Sequence, residues 1–488
     1  MYSICYVNTA GTNVFLTIEC KTNAGSFFIY KKGSLLRSVY VTPTGRDIQP
    51  GQTLISSSSC YSIVEFIGEG CFGRVAKCKN LSTDEIVALK IKKDIAYVQD
   101  KEKEVFMLNV IGILNSDHTN IVTFFERFEY MGQICLAFEM LDGHLYQLLE
   151  QRGWKPMAIN EIRPIAKQLL GALDALKGLG VMHTDIKPDN IMLVNRHDQP
   201  LRVKLIDFGA ALLASDVQLG MDIQPLGYRA PEVALGLPFT EAVDVWGVGC
   251  VLAYLYLTDN LFPVDCEYQI MKSMVEVLGL PEGHQLRAGL FSECYFKLEK
   301  AEYTAANNMK PVEQRNSLIE LPSSLDALVH IYPKGEAAEL EDRREFVHLM
   351  KGLLHIDGDR RICPRQAMQQ SFITMAHLIE HLDSTDYLTR SRTFMSGCQR
   401  EDSIDWVPSP TKSTAGLAVG EPPSVSSSQA TMLFHAGSHE DTTNTGSDSI
   451  AAAIASSSRS RKMLRRAQRL LNRITATCNS CCKTRVEE

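Results

Sequence analysis

The sequence predicts an α+β protein of two lobes, in which a small strand-rich lobe and a larger helical lobe enclose a cleft and a disordered tail follows. Short β-type runs separated by Gly, Asn and Asp fill residues 61–141. Mostly helical periodicity fills residues 142–381. Residues 402–458 are rich in Ser, Thr, Gly, Ala and Pro and poor in large apolar side chains, which is typical of disorder.

The composition is that of a globular protein and argues against several classes of function. Hydrophobic residues make up 45% of the 488 residues, and the net charge of −7 is too mild to attract nucleic acid or an acidic membrane to the whole protein. The 14 cysteines are scattered, and no signal peptide precedes them. We therefore expect reduced thiols in the nucleus or cytoplasm, with no secretion and no transmembrane segment. The most apolar run, Val243–Leu257, contains Asp244 and is expected to be a buried helix.

The elements follow in chain order. The N-terminal extension, to which no function can be assigned, contains strand-like runs at Val14–Ile18 and Ser26–Tyr30, and Ser56–Ser59 is interpreted as a linker. Further strands are expected at Ile63–Ile67, Arg74–Cys78, Ile86–Lys90, Ile121–Phe128 and Ile134–Glu139, with a charged helix at Tyr97–Ile113. The larger lobe begins with helical apolar spacing at Ile162–Leu176.

A glycine motif, Gly68-Glu-Gly70-Cys-Phe-Gly73, suggests a phosphate-binding flap. Alone this pattern is weak, because it also marks dinucleotide-binding folds, in which a helix follows the glycines. Here a strand-like run, Val75–Cys78, follows instead. A glycine hairpin between two strands lets backbone N–H groups approach an anion closely, so the motif favours a flap over nucleotide phosphates.

Lys90 ends the strand-like run Ile86–Lys90 and is a candidate phosphate ligand. A lysine at a strand end is usually a surface residue. However, Glu104 lies on the apolar side of the following helix and could hold the ammonium. Glu102 is the alternative partner if the helical register is shifted by two.

The strongest local signal is His183-Thr-Asp185-Ile-Lys187-Pro-Asp-Asn190, followed by Asp207-Phe-Gly209 at the end of a strand-like run. Phosphoryl transfer needs a carboxylate to accept the hydroxyl proton, a cation at the transferred phosphate and oxygen ligands for a divalent ion. Asp185, Lys187 and Asn190 supply one of each, and Asp207 supplies a second ligand for Mg²⁺.

Two further carboxylates are expected to be structural. Glu232, in Ala230-Pro-Glu232, is predicted to pair with Arg361. Asp244 is predicted to accept backbone N–H groups near Asp185.

These motifs, in this order and spacing, resemble the protein kinase superfamily over roughly residues 61–372. The sequence is most similar to the homeodomain-interacting protein kinases, and next to the dual-specificity tyrosine-regulated kinases. The stretches that carry the narrower resemblance are Val64–Gly73, Phe138–Leu141, Ile191–Val194, Gly227–Glu232, Leu235–Ala242 and Asp342–Phe346.

The resemblance implies a role for each matching residue. Asp185 is the proton acceptor, with Lys187 beside it in the serine/threonine-kinase pattern, and Asn190 and Asp207 hold Mg²⁺. Phe138 resembles the gatekeeper that precedes the adenine-binding hinge. The residues implied in ATP binding are Ile67, Gly68, Glu69, Gly70, Cys71, Phe72, Gly73, Arg74, Val75, Ala88, Lys90, Glu104, Phe138, Glu139 and Leu141.

Three departures from the family pattern bear on regulation and specificity. Thr184 stands where these kinases usually have Arg, or Ala in the closest group, so a phosphorylated activation loop lacks its usual cationic partner. Asp222 aligns with the activating tyrosine, which suggests constitutive activity or control by the tails. Pro225 and Leu226 replace the Ser and Arg that help select proline after the acceptor, which leaves proline-directed specificity open.

The C-terminal region is expected to hold a basic amphipathic helix at 459–477. It could bind a partner or an import receptor, lie on a membrane surface with Cys478, Cys481 and Cys482 acylated, or be merely solvated. The predicted organisation is an extension 1–60, a kinase domain 61–377, a disordered linker 378–458, the basic helix 459–477 and a Cys-containing end 478–488.

Two functions of different classes remain open from the sequence. The first is an active kinase that uses ATP and Mg²⁺ and acts on protein substrates, by resemblance including transcription regulators, with no direct contact of the kinase domain to nucleic acid. The second is an ATP-binding pseudokinase scaffold that acts through protein–protein contacts. Because Lys90, Asp185, Asn190 and Asp207 are all present, the sequence favours the first.

Overall fold

The computed structural model describes residues 2–9, 12–20, 26–31, 34–40, 48–70, 73–92, 98–264, 266–299, 302–305, 323–333, 335–381 and 386–396. All of them belong to one unit, residues 1–398. The predictions for residues 402–458, for the basic helix 459–477 and for 478–488 lie outside the described residues.

Four strands near the N-terminus form an antiparallel sheet of their own, in the order β1-β2-β3-β4. They are β1 (Tyr2–Thr9), β2 (Thr12–Cys20), β3 (Ser26–Lys31) and β4 (Ser34–Tyr40). The sequence predicted the second and third of these strands.

The small lobe is a six-stranded antiparallel sheet with one long helix. Its strands are β5 (Thr53–Ile55), β6 (Cys60–Glu69), β7 (Gly73–Asn80), β8 (Ile86–Lys92), β9 (Phe124–Tyr130) and β10 (Gln133–Glu139), in the order β5-β6-β7-β8-β10-β9. Helix α1 (Val98–Ile111) lies between β8 and β9 in the chain, and a short helix α2 (Ser116–Thr119) follows it. The predicted run Ile121–Phe128 begins as a strand only at Phe124, while Ile121 makes an isolated bridge to Leu205.

The small lobe begins before the predicted boundary at residue 61. Ile48 and Leu54 are fully buried in the same apolar cluster as Tyr61 and Ile63. Ser56–Ser59, interpreted as a linker, is the turn of the β5–β6 hairpin, since the Ser56 N–H donates to the Ser59 carbonyl at 2.9 Å. The linker interpretation was wrong because serines that close a turn through their own hydroxyls have the same composition as a flexible connection.

The large lobe is mainly helical, as predicted. Its helices are α3 (Leu145–Gln151), α4 (Ile159–Gly178), α5 (Pro231–Leu235), α6 (Ala242–Leu257), α7 (Glu267–Leu278), α8 (Gly283–Ala288), α9 (Ala337–Leu353), α10 (Pro364–Ala367), α11 (Ser371–Thr374) and α12 (Asp386–Ser396). Its short strands are β11 (Gly143–His144), β12 (Val181–Met182), β13 (Ile191–Asn195), β14 (Gln199–Leu205), β15 (Leu212–Leu213), β16 (Phe296–Glu299) and β17 (Glu302–Ala305).

Helix α6 forms the centre of the large-lobe core. Its residues from Val243 to Leu257 are buried on every side, and the Trp246 ring stacks on Phe262 with centroids 5.4 Å apart. A helix that is apolar all round must be covered by other elements, as expected for this run. Among the described residues, no helix is both long and apolar enough to cross a membrane.

The prediction of a disordered linker from residue 378 is wrong for its first part. Ala376–His381 forms a 3-10 helix, and α12 follows at Asp386–Ser396. Tyr387, Leu388 and Met395 are buried, and α12 contacts α4 and α9. The sequence of α12 is mostly polar, so only its packing against distant elements defines it as a helix.

A buried ionic cluster joins α12 to the core. The carboxylate of Asp342 in α9 accepts bonds from Arg163 of α4 and from the Tyr387 hydroxyl, and its other oxygen lies 3.0 Å from Nε2 of His377. Arg163 and Asp342 are both fully buried. Burial favours a neutral Asp342, but the bond with His377 and the charge of Arg163 outweigh it, so the pKa of Asp342 lies below its usual value.

We predict that Asp342→Asn lowers the free energy of unfolding at pH 7 by about 3–5 kcal/mol, because Arg163 would remain buried without a counter-charge. Because the pKa of Asp342 is lower in the folded than in the unfolded protein, its ionised carboxylate stabilises the fold. This contribution is complete at pH values above the unfolded-state pKa of about 3.9, and it is lost as the pH falls through the folded-state pKa. Urea unfolding should be measured from pH 7 to pH 3.5. The difference in the free energy of unfolding between wild type and variant should become smaller only below about pH 4. Asp326→Asn, which removes an exposed pair with Lys351, is the control; an equally small effect at both positions would contradict the prediction.

Candidate active site

The glycine motif forms the turn between β6 and β7. The Gly70 N–H donates to the Gly73 carbonyl at 2.9 Å, and β7 continues directly from Gly73. Because a strand follows the glycines, the dinucleotide-fold alternative does not apply. Cys71 and Phe72, at the tip of the turn, lie outside the described residues. Gly68, Glu69 and Ile67, on the other arm of the hairpin, are exposed.

Two residues after the motif have different surroundings. Val75 pairs with Lys90 across β7 and β8. The Arg74 guanidinium packs over the Phe66 ring, 4.4 Å from its centroid, and donates to the Ile48 carbonyl at 3.3 Å. The Arg74 side chain therefore stabilises the hairpin from the small-lobe side.

An ionic cluster connects β8, α1 and the segment after β14. Lys90 Nζ lies 2.7 Å from Oε1 of Glu104 and 2.9 Å from Oδ1 of Asp207. The pairing of Lys90 with Glu104 is the one expected from the sequence, and the alternative partner Glu102 is not needed. Alternation along β8 places Val87, Leu89 and Ile91 in the core and leaves Lys90 on the opposite face.

The pKa values within this cluster follow from competing effects. Burial favours a neutral Asp207, but the Lys90 ammonium outweighs it, so the pKa of Asp207 lies below its usual value. Burial also opposes the charge on Lys90, but Asp207 and Glu104 outweigh it and raise the pKa of Lys90. The ammonium and the carboxylate of Asp207 are therefore both charged at neutral pH.

A second lysine, which was not expected from the sequence, belongs to this cluster. Lys92 Nζ lies 2.6 Å from Oε2 of Glu104, so each oxygen of this carboxylate has its own cation. Side chains alternate between the two faces of a strand, so Lys92 lies on the same face as Lys90. This alternation could have indicated Lys92 from the sequence.

The catalytic candidates come together in the loop between β12 and β13. Lys187 Nζ lies 3.0 and 2.9 Å from the two oxygens of Asp185. The amide nitrogen of Asn190 donates to the backbone carbonyl and to Oδ2 of Asp185, both at 2.8 Å. The three residues predicted as catalytic thus form one hydrogen-bonded group.

Asp244 of α6 holds this loop in place. Its two carboxylate oxygens accept the backbone N–H groups of His183 at 2.6 Å and Thr184 at 2.8 Å, as predicted. Thr184 has a left-handed backbone with φ 63°, which is costly for a β-branched residue, and its hydroxyl donates to the Ala210 carbonyl at 2.9 Å. Burial raises the pKa of Asp244 despite these bonds.

The Asp207 segment is fixed from the same loop. The His183 imidazole contacts the Ile206 carbonyl at 2.9 Å and packs edge-on against the buried Phe208 ring, with centroids 4.9 Å apart. The Ile206 N–H donates to the Asn190 carbonyl at 2.9 Å. Asp207 itself has φ 62°, which turns its side chain to Lys90. These contacts bring the two predicted metal ligands, Asn190 and Asp207, to adjoining segments.

The predicted hinge lies at the end of β10. Ala88 and Phe138 are partners across β8 and β10, and the Phe138 ring lies 5.5 Å from the Phe124 ring. Leu141 is buried in the large core cluster.

The Glu139 side chain has a structural role that the sequence did not reveal. Its Oε1 accepts from Lys204 Nζ at 2.6 Å and from the Thr123 N–H at 2.6 Å. The Glu139 carboxylate is therefore engaged within the protein by Lys204 and Thr123. The position of Lys204 between Val203 and Leu205 in a strand-like run was the signal for this pair.

The segment after Asp207 is held by two arginines. Arg229 lies 2.7 Å from Asp222 and 3.0 Å from Glu267, and it donates to the Gln224 carbonyl at 3.0 Å. Arg361 binds both oxygens of Glu232, at 2.6 and 2.9 Å, as predicted from the sequence.

Comparisons with known proteins agree with this geometry. Residues 61–373 match the protein kinase domain family. The chain is similar to homeodomain-interacting protein kinase 1 of Mus musculus, with 36% identity over 382 residues that cover 74% of this chain and 31% of the relative. It is also similar to homeodomain-interacting protein kinase 2 of Mesocricetus auratus, with 37% identity that covers 68% of this chain and 30% of the relative. Homeodomain-interacting protein kinase 4 of Rattus norvegicus is 35% identical, which covers 73% of this chain and 62% of the relative. The resemblance inferred from the motifs and the two-lobed fold are thus confirmed.

We predict that Gly73→Ala destabilises the small lobe, because a methyl group at this position would collide with the backbone carbonyl of Ile91 in β8. Backbone cannot move as a side-chain tip can, so we expect a loss of about 1–3 kcal/mol, measured by thermal or urea unfolding. Gly70→Ala is the matched control, since a Cβ there meets no atom of the described residues within 4 Å. Equal stability of the two variants would contradict the prediction.

Proposed function

Because the chain belongs to the protein kinase family, we propose that it transfers the γ-phosphate of ATP to serine and threonine hydroxyls of protein substrates. The observation that carries the proposal is the group formed by Asp185, Lys187 and Asn190 together with Lys90 held by Glu104. The chain spans 31% of the first curated relatives it matches, so the activity, substrates and partners of the whole protein are proposals.

Each residue of the site has its own role in the proposed phosphoryl transfer. Asp185 accepts the proton of the attacking hydroxyl, since its Oδ1 has no described partner other than Lys187. Lys187, 2.9 Å from Asp185, places a positive charge where the transferred phosphoryl group gains negative charge. Lys90 orients the other phosphates beneath the glycine turn, and Glu104 fixes the direction of Lys90.

The family uses ATP with a divalent cation, and we propose Mg²⁺ here. The donor set fits, because Asp207 and Asn190 offer oxygen ligands, and Mg²⁺ is commonly held by one or two such groups plus substrate phosphates. The Asn190 amide nitrogen is engaged by Asp185, which leaves the amide oxygen as the ligand. When bound, Mg²⁺ would neutralise charge on the phosphates. Among the described residues no group of three His, Cys, Asp or Glu could hold a metal alone, which is consistent with a site completed by the nucleotide.

The choice of acceptor and partners rests on resemblance. Lys187 stands two residues after Asp185, the serine/threonine-kinase pattern. The relatives are named for interaction with homeodomain proteins, so transcription regulators are proposed as substrates, with action in the nucleus or cytoplasm. No observation favours the pseudokinase alternative.

We expect Asp185→Asn to lower turnover by on the order of 10²–10⁴-fold, because the proton acceptor is lost. The assay follows γ-phosphate transfer to a peptide library by purified full-length protein, and Mg·ATP binding is measured alongside. Asp198→Asn, in an exposed turn, is the control and should match wild type. Transfer that survives Asp185→Asn would contradict the mechanism. Wild type that binds Mg·ATP without transfer would instead establish the scaffold function.

We further propose that Asp222 replaces regulated phosphorylation. Its carboxylate supplies a permanent negative charge 2.7 Å from Arg229, which also binds the Gln224 carbonyl and Glu267. Arg229 thereby joins the segment after Asp207 to α7, and no phosphate is needed to complete this contact.

We predict that Asp222→Ala lowers kcat/KM by about fivefold, the effect of losing about 1 kcal/mol from a partly exposed ion pair. The protein should be treated with phosphatase first and assayed at low ionic strength. Asp216→Ala, an exposed acid of the same segment, should leave the rate unchanged. Equal rates for Asp222→Ala and wild type would remove the proposed role.

A further inference from the structure

Lys92 occupies an unusual position for a surface-type residue. It lies on the face of β8 that carries Lys90, opposite the core residues Leu89 and Ile91. Its side chain is only 10% exposed, and its sole described ionic partner, Glu104, is 4% exposed. Burial of this depth is rare for a lysine unless it is paired.

Other lysines of the same sheet have ordinary surface pairs. Lys79 lies 2.6 Å from Asp84, and these side chains are 42% and 83% exposed. Lys77 lies 3.7 Å from a similarly exposed Glu65. The contrast shows that the pair of Lys92 with Glu104 is specific to the buried junction of β8 and α1.

The charges explain why a second lysine matters here. Lys90 is shared between Glu104 and Asp207, at 2.7 and 2.9 Å. With Lys90 alone, two carboxylates would have one cation, and Glu104 would be left buried and unpaired whenever Lys90 moved toward a phosphate. With Lys92, two cations balance two carboxylates, so Glu104 stays paired when Lys90 moves.

Lys92 and its partner Glu104 lie beside the glycine turn and the segment after Asp207. In the register of β7 and β8, Lys92 pairs with Gly73, the last glycine of the motif. The Glu104 oxygen that Lys92 binds, Oε2, is close to Gly209: a Cβ atom at position 209 would lie 3.9 Å from it. Glu104 thus fixes α1 against β8 on one side and against the Asp207 segment on the other.

We propose that Lys92 is a positioning residue of the nucleotide site, which holds Glu104, and with it α1, in the docked position independently of Lys90. The proposal rests on the proposed function in one respect, namely that Lys90 serves the phosphates. It implies that α1 stays docked in the resting protein and that Lys90 is not required for its docking.

A double-substitution cycle on the full chain tests the proposal. The variants are Lys90→Met, Lys92→Met and both together, with Lys92→Arg as the conservative replacement and Lys79→Met as the matched control. Three quantities are measured: hydrogen exchange of residues 104–111 in α1, the Kd of ATP with Mg²⁺, and kcat and KM for ATP. Exchange and binding do not require turnover, so they test Lys92 even if the proposed kinase activity fails.

We expect Lys90→Met to lose turnover while α1 keeps its protection from exchange, because Lys92 still holds Glu104. The double variant should lose that protection and bind ATP about tenfold more weakly than Lys90→Met. Lys92→Met alone should lower kcat/KM by about tenfold, Lys92→Arg should restore most of it, and Lys79→Met should behave as wild type. Coupling of this size is the signature of two cations that share one carboxylate.

Several outcomes would overturn the proposal. One is equal hydrogen exchange of α1 in Lys90→Met and in the double variant. That result would mean that Lys92 does not hold Glu104 and α1 in place when Lys90 is absent. Another is a Lys92→Met protein with a lower melting temperature but unchanged kcat/KM and α1 exchange, which would mean that Lys92 serves stability alone. If Lys92→Met does not fold, Lys92→Gln takes its place, and the same two comparisons decide.

Discussion

The site depends on the ion pairs that the buried carboxylate of Glu104 forms with Lys90 and Lys92. This carboxylate is almost completely buried, and Lys90 and Lys92, on one face of β8, each pair with one of its two oxygens. This pairing fixes the rotation of α1, the direction of Lys90 and, through Lys90, the position of Asp207. A single buried charge thereby links the neighbouring elements β8 and α1 and connects them, through Lys90, to Asp207, which lies 117 positions after Lys90.

The large lobe uses the same principle for the catalytic loop. Asp244 is buried, and its two oxygens accept the backbone N–H groups of His183 and of Thr184, whose backbone is left-handed. The loop is therefore shaped by a side chain from α6 before any substrate is present. Asp185, Lys187 and Asn190 then need only to bond with one another to reach their arrangement.

The sequence revealed residues whose chemistry requires a fixed type at a fixed spacing. Lys90, Glu104, Asp185 and Asp207 could be found because phosphoryl transfer leaves little choice at these positions. Five of the six small-lobe strands followed from short β-type runs and buried α6 from its continuous apolar run, whereas β5 was not predicted. The assignment of particular residues to ATP remains a prediction.

The residues that the sequence did not reveal owe their roles to distant contacts. Lys92 looks like any strand lysine until α1 packs on it, and Lys204 looks like an ordinary charged residue of β14 until Glu139 pairs with it. Helix α12 has too few apolar residues to be recognised locally. Such features depend on contacts with other elements of the fold, which periodicity within one element cannot show.

The contact between Tyr387 and Asp342 has a practical meaning for work with shortened proteins. The match to the protein kinase domain family ends at residue 373, yet the hydroxyl that completes a buried charge cluster comes from residue 387. A recombinant fragment trimmed to the recognisable homology would carry an uncovered apolar strip on α4 and α9 and an under-saturated carboxylate beneath it. A fragment that keeps this cluster intact therefore extends at least to residue 387, beyond the end of the matched domain.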